Sequence, residues 1–491
     1  MRLKALVVAV CVMLTAAGAL HGQEEPKPRQ PLRVIQNLQV GLADLEQHPV
    51  WAGRCLVVWL FDESRSMTPV QKIIAGRVAR FLAPAHQRMR ILTVVSSFGR
   101  KFHVILGKPS RNGVSIQNAV GKIPVDVSGK ENVLTAVNEV LNRFGPDARK
   151  FARKIVIILV TDEAGDDVRV TEGKPDPLEA TLARMKNIDA RLVVFGHEAG
   201  TFSHSVEKTF DPTVPKGVSP WAFVNRGIET AFGETFPHDW YFRRTERVPS
   251  GFGPYALSRL CRETGGVYYL VRAAKAPDYD YEKLLSGYEP ELASRAEIAK
   301  RNTRNDARRL IMQLVMDAKV DRDKGFRTHF ADTEGGRVRM MTCRDHVDHL
   351  LAVVEKGIAQ MKQIGPAAFR HSPKRWQANR ELMWAELHKL RFQLGQFRRT
   401  LHDLMTGRRV MPPGELGWRI THVGGELRGQ AEVLLAEKRA IEAMYRKVIE
   451  KHAGTPWAVF AESEMKQLDG YAIRPWSRRA SPRLGGCPTA P

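Results

Sequence analysis

The chain has 491 residues, 43% of them hydrophobic, and carries a formal net charge of +23. That hydrophobic share builds real cores and excludes a disordered chain, and the length leaves room for two or three domains. The charge is uneven, with 37 basic against 23 acidic residues from position 291 onward. A surface of this kind adheres to anionic partners such as an envelope surface of lipid headgroups or acidic polysaccharide. Nucleic acid is not an expected partner, because no zinc finger, basic zipper or RNA-binding aromatic motif accompanies the charge.

The start, Met1-Arg2-Leu3-Lys4 followed by an apolar stretch from Ala5 to Leu20 and the small triplet Ala17-Gly18-Ala19, has the charged, apolar and cleavage regions of a secretory signal. Residues 1–22 are read as that signal, too short in their apolar part for the ~20 residues of a spanning helix. The mature chain is expected to have no transmembrane span and to be exported, to a periplasm, a cell envelope or the exterior. Cys55, Cys261, Cys343 and Cys487 then remain. Their wide spacing argues against structural zinc, and sequence leaves their pairing open, with buried thiols the simpler reading for Cys55 and Cys261. Residues 23–49, opened by Glu24-Glu25-Pro26-Lys27-Pro28-Arg29-Gln30-Pro31, read as an extended linker, with structure beginning near Val50.

An α/β region is expected over 50–275. Leu56 to Phe61 is a continuous apolar run, the mark of a strand buried on both faces of a mostly parallel sheet. It ends in Asp62-Glu63-Ser64-Arg65-Ser66, an Asp-x-Ser-x-Ser loop at the carboxyl edge, where open α/β sheets bind ligands. Thr68 and Pro69 then open a helix to about Leu82. Ile91–Phe98 and Phe102–Leu106, joined by Gly99-Arg100-Lys101, form a strand pair whose second member is an antiparallel edge. Helices follow at 114–122 and 132–144, with Glu131 expected in the first turn of the latter.

A second buried run, Ile155 to Val160, ends in Thr161-Asp162 and brings another carboxylate to the same edge. The loop Glu163-Ala164-Gly165-Asp166-Asp167 reads as solvated acids rather than a second ion site. A helix at 177–187, a strand at 191–195, a helix closed by Gly265-Gly266 and a strand at 267–271 complete the alternation of a doubly wound sheet. An insertion, 199–250, leaves the carboxyl edge and is rich in aromatics. These are Phe202, Phe210, Trp221, Phe223, Phe232, Phe236, Trp240, Tyr241 and Phe242, with Arg243, Arg244 and Arg247 following. They are read either as recognition anchors or as the insertion's own small core. His197, His204 and His238 lack the spacing of zinc ligands.

Beyond residue 275 the pattern becomes helical. Residues 276–372 read as a connector with helices, and 373–470 as a helical hairpin resembling tetratricopeptide-like scaffolds, without a 34-residue repeat. Its seam is Met383, Leu387, Leu390, Leu394, Phe397, Leu401 and Leu404, in steps of four and three. The expected partner is the run Leu427, Ala431, Leu434, Lys438, Ile441, Tyr445 and Val448, reached through a turn at 407–423. Residues 471–491 are expected to be a disordered tail.

Asp62, Ser64, Ser66, Glu131 and Asp162 resemble the metal-ion-dependent adhesion site of the von Willebrand factor type A (vWA) family. That pattern is Asp-x-Ser-x-Ser, then a Thr, then an Asp ending a later strand. The first and last elements match here, and Glu131 stands where Thr is usual, a departure similar to integrin β subunits, where Glu at this place ligates the metal. The resemblance implies Mg²⁺, or Ca²⁺ or Mn²⁺, held by these five residues, with an open position for an Asp or Glu of a protein partner. Hydroxyl, carboxylate and water oxygens suit such hard cations. An exported, metal-dependent adhesion protein is therefore expected, and not an enzyme. No Gly-x-Ser-x-Gly elbow, His-Glu-x-x-His or Walker-type loop supports the alternative of a metal-dependent hydrolase. A basic structural envelope protein with a vestigial site is the other alternative.

Overall fold

The computed structural model describes residues 32–51, 53–88, 91–171, 173–200, 205–210, 221–235, 248–272, 277–317, 328–408, 410–423, 432–468 and 470–476. Residues 1–22, read above as a signal, lie outside these residues, and among the described residues no helix is long and apolar enough to cross a membrane.

A seven-stranded sheet organises the first half. Its strands are β1 (Leu32–Ile35), β2 (Cys55–Asp62), β3 (Leu92–Phe98), β4 (Phe102–Ser110), β5 (Lys154–Val160), β6 (Arg191–Gly196) and, after a separate hairpin of β7 (Ser205–Phe210) and β8 (Trp221–Gly227), β9 (Val267–Val271). The order across the sheet is β1-β9-β6-β5-β2-β3-β4. All pairs are parallel except β3 with β4, so β4 is the antiparallel edge that its hairpin sequence predicts.

The apolar run of β2 explains the layering. Successive side chains point to opposite faces, so Leu56, Val58 and Leu60 join one core with Val137, Val140 and Phe144 of the helix Val133–Lys150, Leu182 of Pro177–Asn187 and Leu260 of Tyr255–Glu263. Val57, Trp59 and Phe61 join the other, with Leu42 of Leu38–Glu46, Ile74 and Val78 of Thr68–Arg88 and Ile116 of Gly113–Val120. Cys55 and Cys261 are buried thiols within these layers.

The linker reading of 23–49 fails from Leu32 onward. Leu32–Ile35 adds a parallel edge strand to β9, and Leu38, Leu42 and Leu45 bury a helix against the sheet. The closely spaced prolines that signal a linker end at Pro31, and the four-residue strand is too short to announce itself by periodicity.

The helical half carries the helices Arg295–Arg304, Asp306–Asp317, Glu334–Ile364, Lys374–Met405, Glu432–Lys451 and Pro456–Lys466. The seam pairs differently from expectation. Met383, Leu387, Leu394, Phe397, Leu401 and Leu404 share a core with Val347, Leu350 and Val354 of Glu334–Ile364. Ile441, Tyr445 and Val448 pack instead with a second stripe of Lys374–Met405, namely Ala378, Leu382, Ala385 and Phe392. Lys374–Met405 is thus buried on two sides, and the small residues of its second stripe hid that face from periodicity. Leu427 and Ala431 lie outside the described residues.

A small sheet was also not expected: β10 (His329–Ala331), β11 (Gly417–Val423) and β12 (Gly470–Trp476) run antiparallel in that order. β11 occupies the stretch read as a turn, and β12 orders the first residues of what was read as a tail; residues 477–491 lie outside the described set.

The two halves share interior. Phe252, Tyr279, Leu284 and Tyr288 pack with Ala378, Leu382, Trp457 and Phe460 in one core. Beside it Arg375 is buried between two carboxylates, Glu229 at 2.7 Å and Glu234 at 2.6 Å, while lying over the Trp457 ring. Asn379 bridges the cluster, donating to Glu234 at 3.0 Å and accepting from Trp457 Nε1 at 2.7 Å. Removing one partner of such a group strands buried charge. Arg375→Ala is expected to cost about 3–5 kcal/mol in urea unfolding, and adding Glu229→Gln and Glu234→Gln to restore most of it. A loss under 1 kcal/mol would show that the clasp does not join the halves.

Candidate functional site

With β1 and the β7–β8 hairpin set aside, the sheet order in chain sequence is 3-2-1-4-5-6, and it reverses between β2 and β5. That reversal is where open α/β sheets leave a crevice beyond their carboxyl ends. Phe61 of β2 lies opposite Val160 of β5, so the loops beginning at Asp62 and Thr161 emerge side by side. The burial of both strands fixes this placement.

Asp62 is fully buried. Its Oδ1 accepts from the Ser64 N–H at 2.7 Å and its Oδ2 from the Thr161 hydroxyl at 2.6 Å. The Gln71 amide donates to its carbonyl oxygen at 2.6 Å, tying the strand end to the helix that follows. Ser64 Oγ and Ser66 Oγ stand 3.0 Å apart, so both hydroxyls face one point. The Asp-x-Ser-x-Ser loop is therefore folded back on its own aspartate, as the spacing implies.

Charge gathers around this point. Burial first, then the charges of Asp162 and Glu131, push Asp62 up to about 8 against the pull of Thr161 and Ser64. Glu131 is raised as well, chiefly by burial, while a hydrogen bond from Glu163 pulls the other way. Glu163 is pushed up to about 11 by burial, by that same bond to Glu131 and by the neighbouring carboxylates. Glu163 and Glu131 thus form a carboxyl–carboxylate pair joined by a hydrogen bond that shares one proton between them.

Two expectations change here. Glu131 does not lie in the first turn of a helix: it precedes Asn132, the N-cap of Val133–Lys150. The loop 163–167 is not simply solvated. Glu163 is buried, the Asp166 N–H donates to the Glu131 carbonyl at 2.7 Å, and Asp167 accepts from the N–H groups of Leu134 at 3.1 Å and Thr135 at 2.7 Å. Asp166 and Asp167 hold the start of that helix, where carboxylates suit the free N–H groups and the dipole.

Asp162 receives a different partner. Arg226 of β8 places Nη1 3.3 Å from its Oδ2 and also donates to its carbonyl oxygen, with both side chains buried. Sequence gave no sign of this contact, which depends on the insertion folding back over the β5 loop. Arg243, Arg244 and Arg247, read with the aromatics as recognition anchors, lie outside the described residues, as do Phe202, Phe236, Trp240, Tyr241, Phe242, His204 and His238. The described part of the insertion does reach the carboxyl edge, as expected. Also unforeseen is Glu63, buried at the x position of the motif, whose Oε1 accepts from Ser97 at 2.6 Å and faces His103 Nδ1 at 2.7 Å.

The donor chemistry is that of a hard-cation site: two converging hydroxyls backed by buried carboxylates whose mutual repulsion a positive charge relieves. Among the described residues no three His, Cys, Asp or Glu side chains form a group able to hold a metal by themselves. A cation here would depend on the serine hydroxyls as much as on the acids. Ser64, Ser66, Asp62 and Asp162 fit that requirement. Glu131 fits it less simply, since its side chain is already hydrogen-bonded to Glu163.

No protein-family model and no curated protein matches the chain. Solved structures do. The chain is similar to the SpRpn10 VWA domain at 10% identity, covering 29% of this chain and 75% of that one, with a TM-score of 0.23. It is similar to BatB from Bacteroides thetaiotaomicron at 15% identity, over 50% of this chain and 98% of that one, TM-score 0.26. A third is proximal thread matrix protein 1 from the mussel byssus, solved with a zinc-occupied MIDAS motif, at 16% identity, 30% and 39% coverage, TM-score 0.24.

The raised carboxyls set a pH dependence. A folded value of about 8 for Asp62, against about 4 in an unfolded chain, means that the folded state keeps a proton which the unfolded state releases. That stability is fully present below about pH 4 and is lost as pH rises through about 8. In EDTA, wild-type urea stability is expected to fall between pH 5 and 9, and Asp62→Asn to remove much of that fall. An unchanged slope in the variant would contradict the placement of Asp62 among like charges.

Proposed function

We propose that this is an exported adhesion or interaction protein that binds a divalent cation, Mg²⁺ or alternatively Mn²⁺ or Ca²⁺, at its Asp-x-Ser-x-Ser loop and uses it to grip an acidic group of a protein partner. The observation that carries this is the convergence of the Ser64 and Ser66 hydroxyls on a rim crowded with the buried carboxylates of Asp62, Glu131 and Asp162. Ser64 and Ser66 would supply neutral oxygens. Asp62 and Asp162 would act directly or through water, and Glu131 would contribute to the extent that it parts from Glu163.

Bound there, the cation would supply a Lewis-acid position open to a carboxylate from outside. This chain's residues do the rest. Thr161 and the Ser64 N–H hold Asp62 still, Gln71 anchors the strand end, and the layers beneath exclude water from one side. Binding without turnover is the reading for this site, since among the described residues the two serine hydroxyls pair with each other rather than with a base, and a serine without a partnered base is a poor nucleophile. The basic helical half adds a salt-sensitive attraction to anionic surfaces.

The test is retention of a partner from envelope extract on the immobilised full chain. Mg²⁺-dependent retention, released by EDTA and abolished by Asp62→Ala, is expected. Retention that ignores EDTA and fades with salt would overturn the reading in favour of the basic surface alone. Metal-dependent hydrolysis of generic phosphate or ester substrates would overturn it in favour of an enzyme.

A further inference from the structure

From the contacts of β8 we infer that Arg226 is an internal counter-cation competing with the divalent ion for Asp162, so that the insertion holds the site in a low-affinity state. The inference rests on the cation reading above and adds to it a residue that sets affinity.

The three carboxylates proposed to surround the cation are satisfied by different means. Asp62 takes neutral donors, the Ser64 N–H and the Thr161 hydroxyl. Glu131 is hydrogen-bonded to the Glu163 side chain. Asp162 takes a guanidinium, 3.3 Å away and buried with it, which also bonds the Asp162 carbonyl. A guanidinium cannot shed its proton in a protein. An incoming dication can therefore gain full use of Asp162 only if Arg226 turns aside, and the two positive charges repel across a few ångströms of poorly screened interior.

The position of Arg226 is built, not incidental. The Ala164 N–H donates to the Asn225 carbonyl at 2.9 Å, and the Gly227 N–H donates to the Asn225 side chain at 3.1 Å. Gly227 has φ +66°, and a Cβ there would stand 2.4 Å from Ala164 Cβ. Only glycine lets β8 lie this close to the loop that carries Asp162, so backbone contacts on both sides of residue 226 aim its side chain at that aspartate. The same segment continues to Glu229 and Glu234, the pair that grips Arg375 of Lys374–Met405. The counter-cation is thereby tethered to the helical half, three residues from its clasp.

Calorimetric titration of the full chain with Mn²⁺ and Mg²⁺ tests this. Arg226→Gln is expected to bind Mn²⁺ at least about tenfold more tightly than wild type, the direction and scale that removing a nearby like charge predicts. Arg226→Lys, which keeps the charge, is expected to stay near wild type, and Asp62→Ala added to Arg226→Gln to abolish binding. A larger Mn²⁺-induced rise in melting temperature for Arg226→Gln than for wild type is the second readout. Arg226→Met, which keeps the aliphatic stem, serves if the glutamine variant does not fold. Equal or weaker Mn²⁺ binding by a folded neutral variant overturns this inference while leaving the site's cation reading intact. Absence of binding by both wild type and the neutral variants overturns the cation reading itself, and the inference with it.

Discussion

The buried aspartate at the end of β2 is the constraint on which the rest depends. A strand apolar on both faces must be covered on both sides, and covering it drives its terminal carboxylate out of water at the place where the sheet order reverses. Asp62 is fully buried there, and Asp162 and Glu131 stand near enough for their charges to raise it. Burial of like charges is unfavourable unless each finds a proton, a donor or a cation. The surrounding structure supplies all three: hydroxyl and amide donors for Asp62, a shared proton between Glu131 and Glu163, and a guanidinium for Asp162.

Much of this was legible in the chain because it is local. The run from Leu56 to Phe61 announces a strand buried on both faces, and the spacing of Asp62, Ser64 and Ser66 announces a loop that returns to its own carboxylate. The antiparallel edge β4 follows from a Gly99-Arg100-Lys101 turn between two apolar stretches. What escaped reading depends on chain segments meeting across long separations. Arg226 reaches Asp162 from 64 residues away because Asn225 and Gly227 dock β8 on the β5 loop, and no periodicity encodes that. Glu163 looked like any loop acid until Glu131 arrived beside it.

The seam of the helical half shows the same limit. Steps of four and three identified the buried stripe of Lys374–Met405 correctly, but a stripe names no partner. Glu334–Ile364 took it, while the plainer Ala378, Leu382, Ala385 and Phe392 received Glu432–Lys451. Because that second stripe also meets Tyr279 and Tyr288, the helical half is packed into the α/β half rather than strung behind it. A single segment, from Arg226 to Glu234, touches the rim of the site at one end and the buried Arg375 at the other. The site and the scaffold are therefore parts of one interior.

The most direct measurement is an anomalous difference map from crystals of the full chain grown in Mn²⁺. The account predicts a peak about 2.1 Å from Ser64 Oγ and Ser66 Oγ, on the side of the rim that carries Asp62 and Asp162. A peak elsewhere, or none with the ion at saturating concentration, would contradict it.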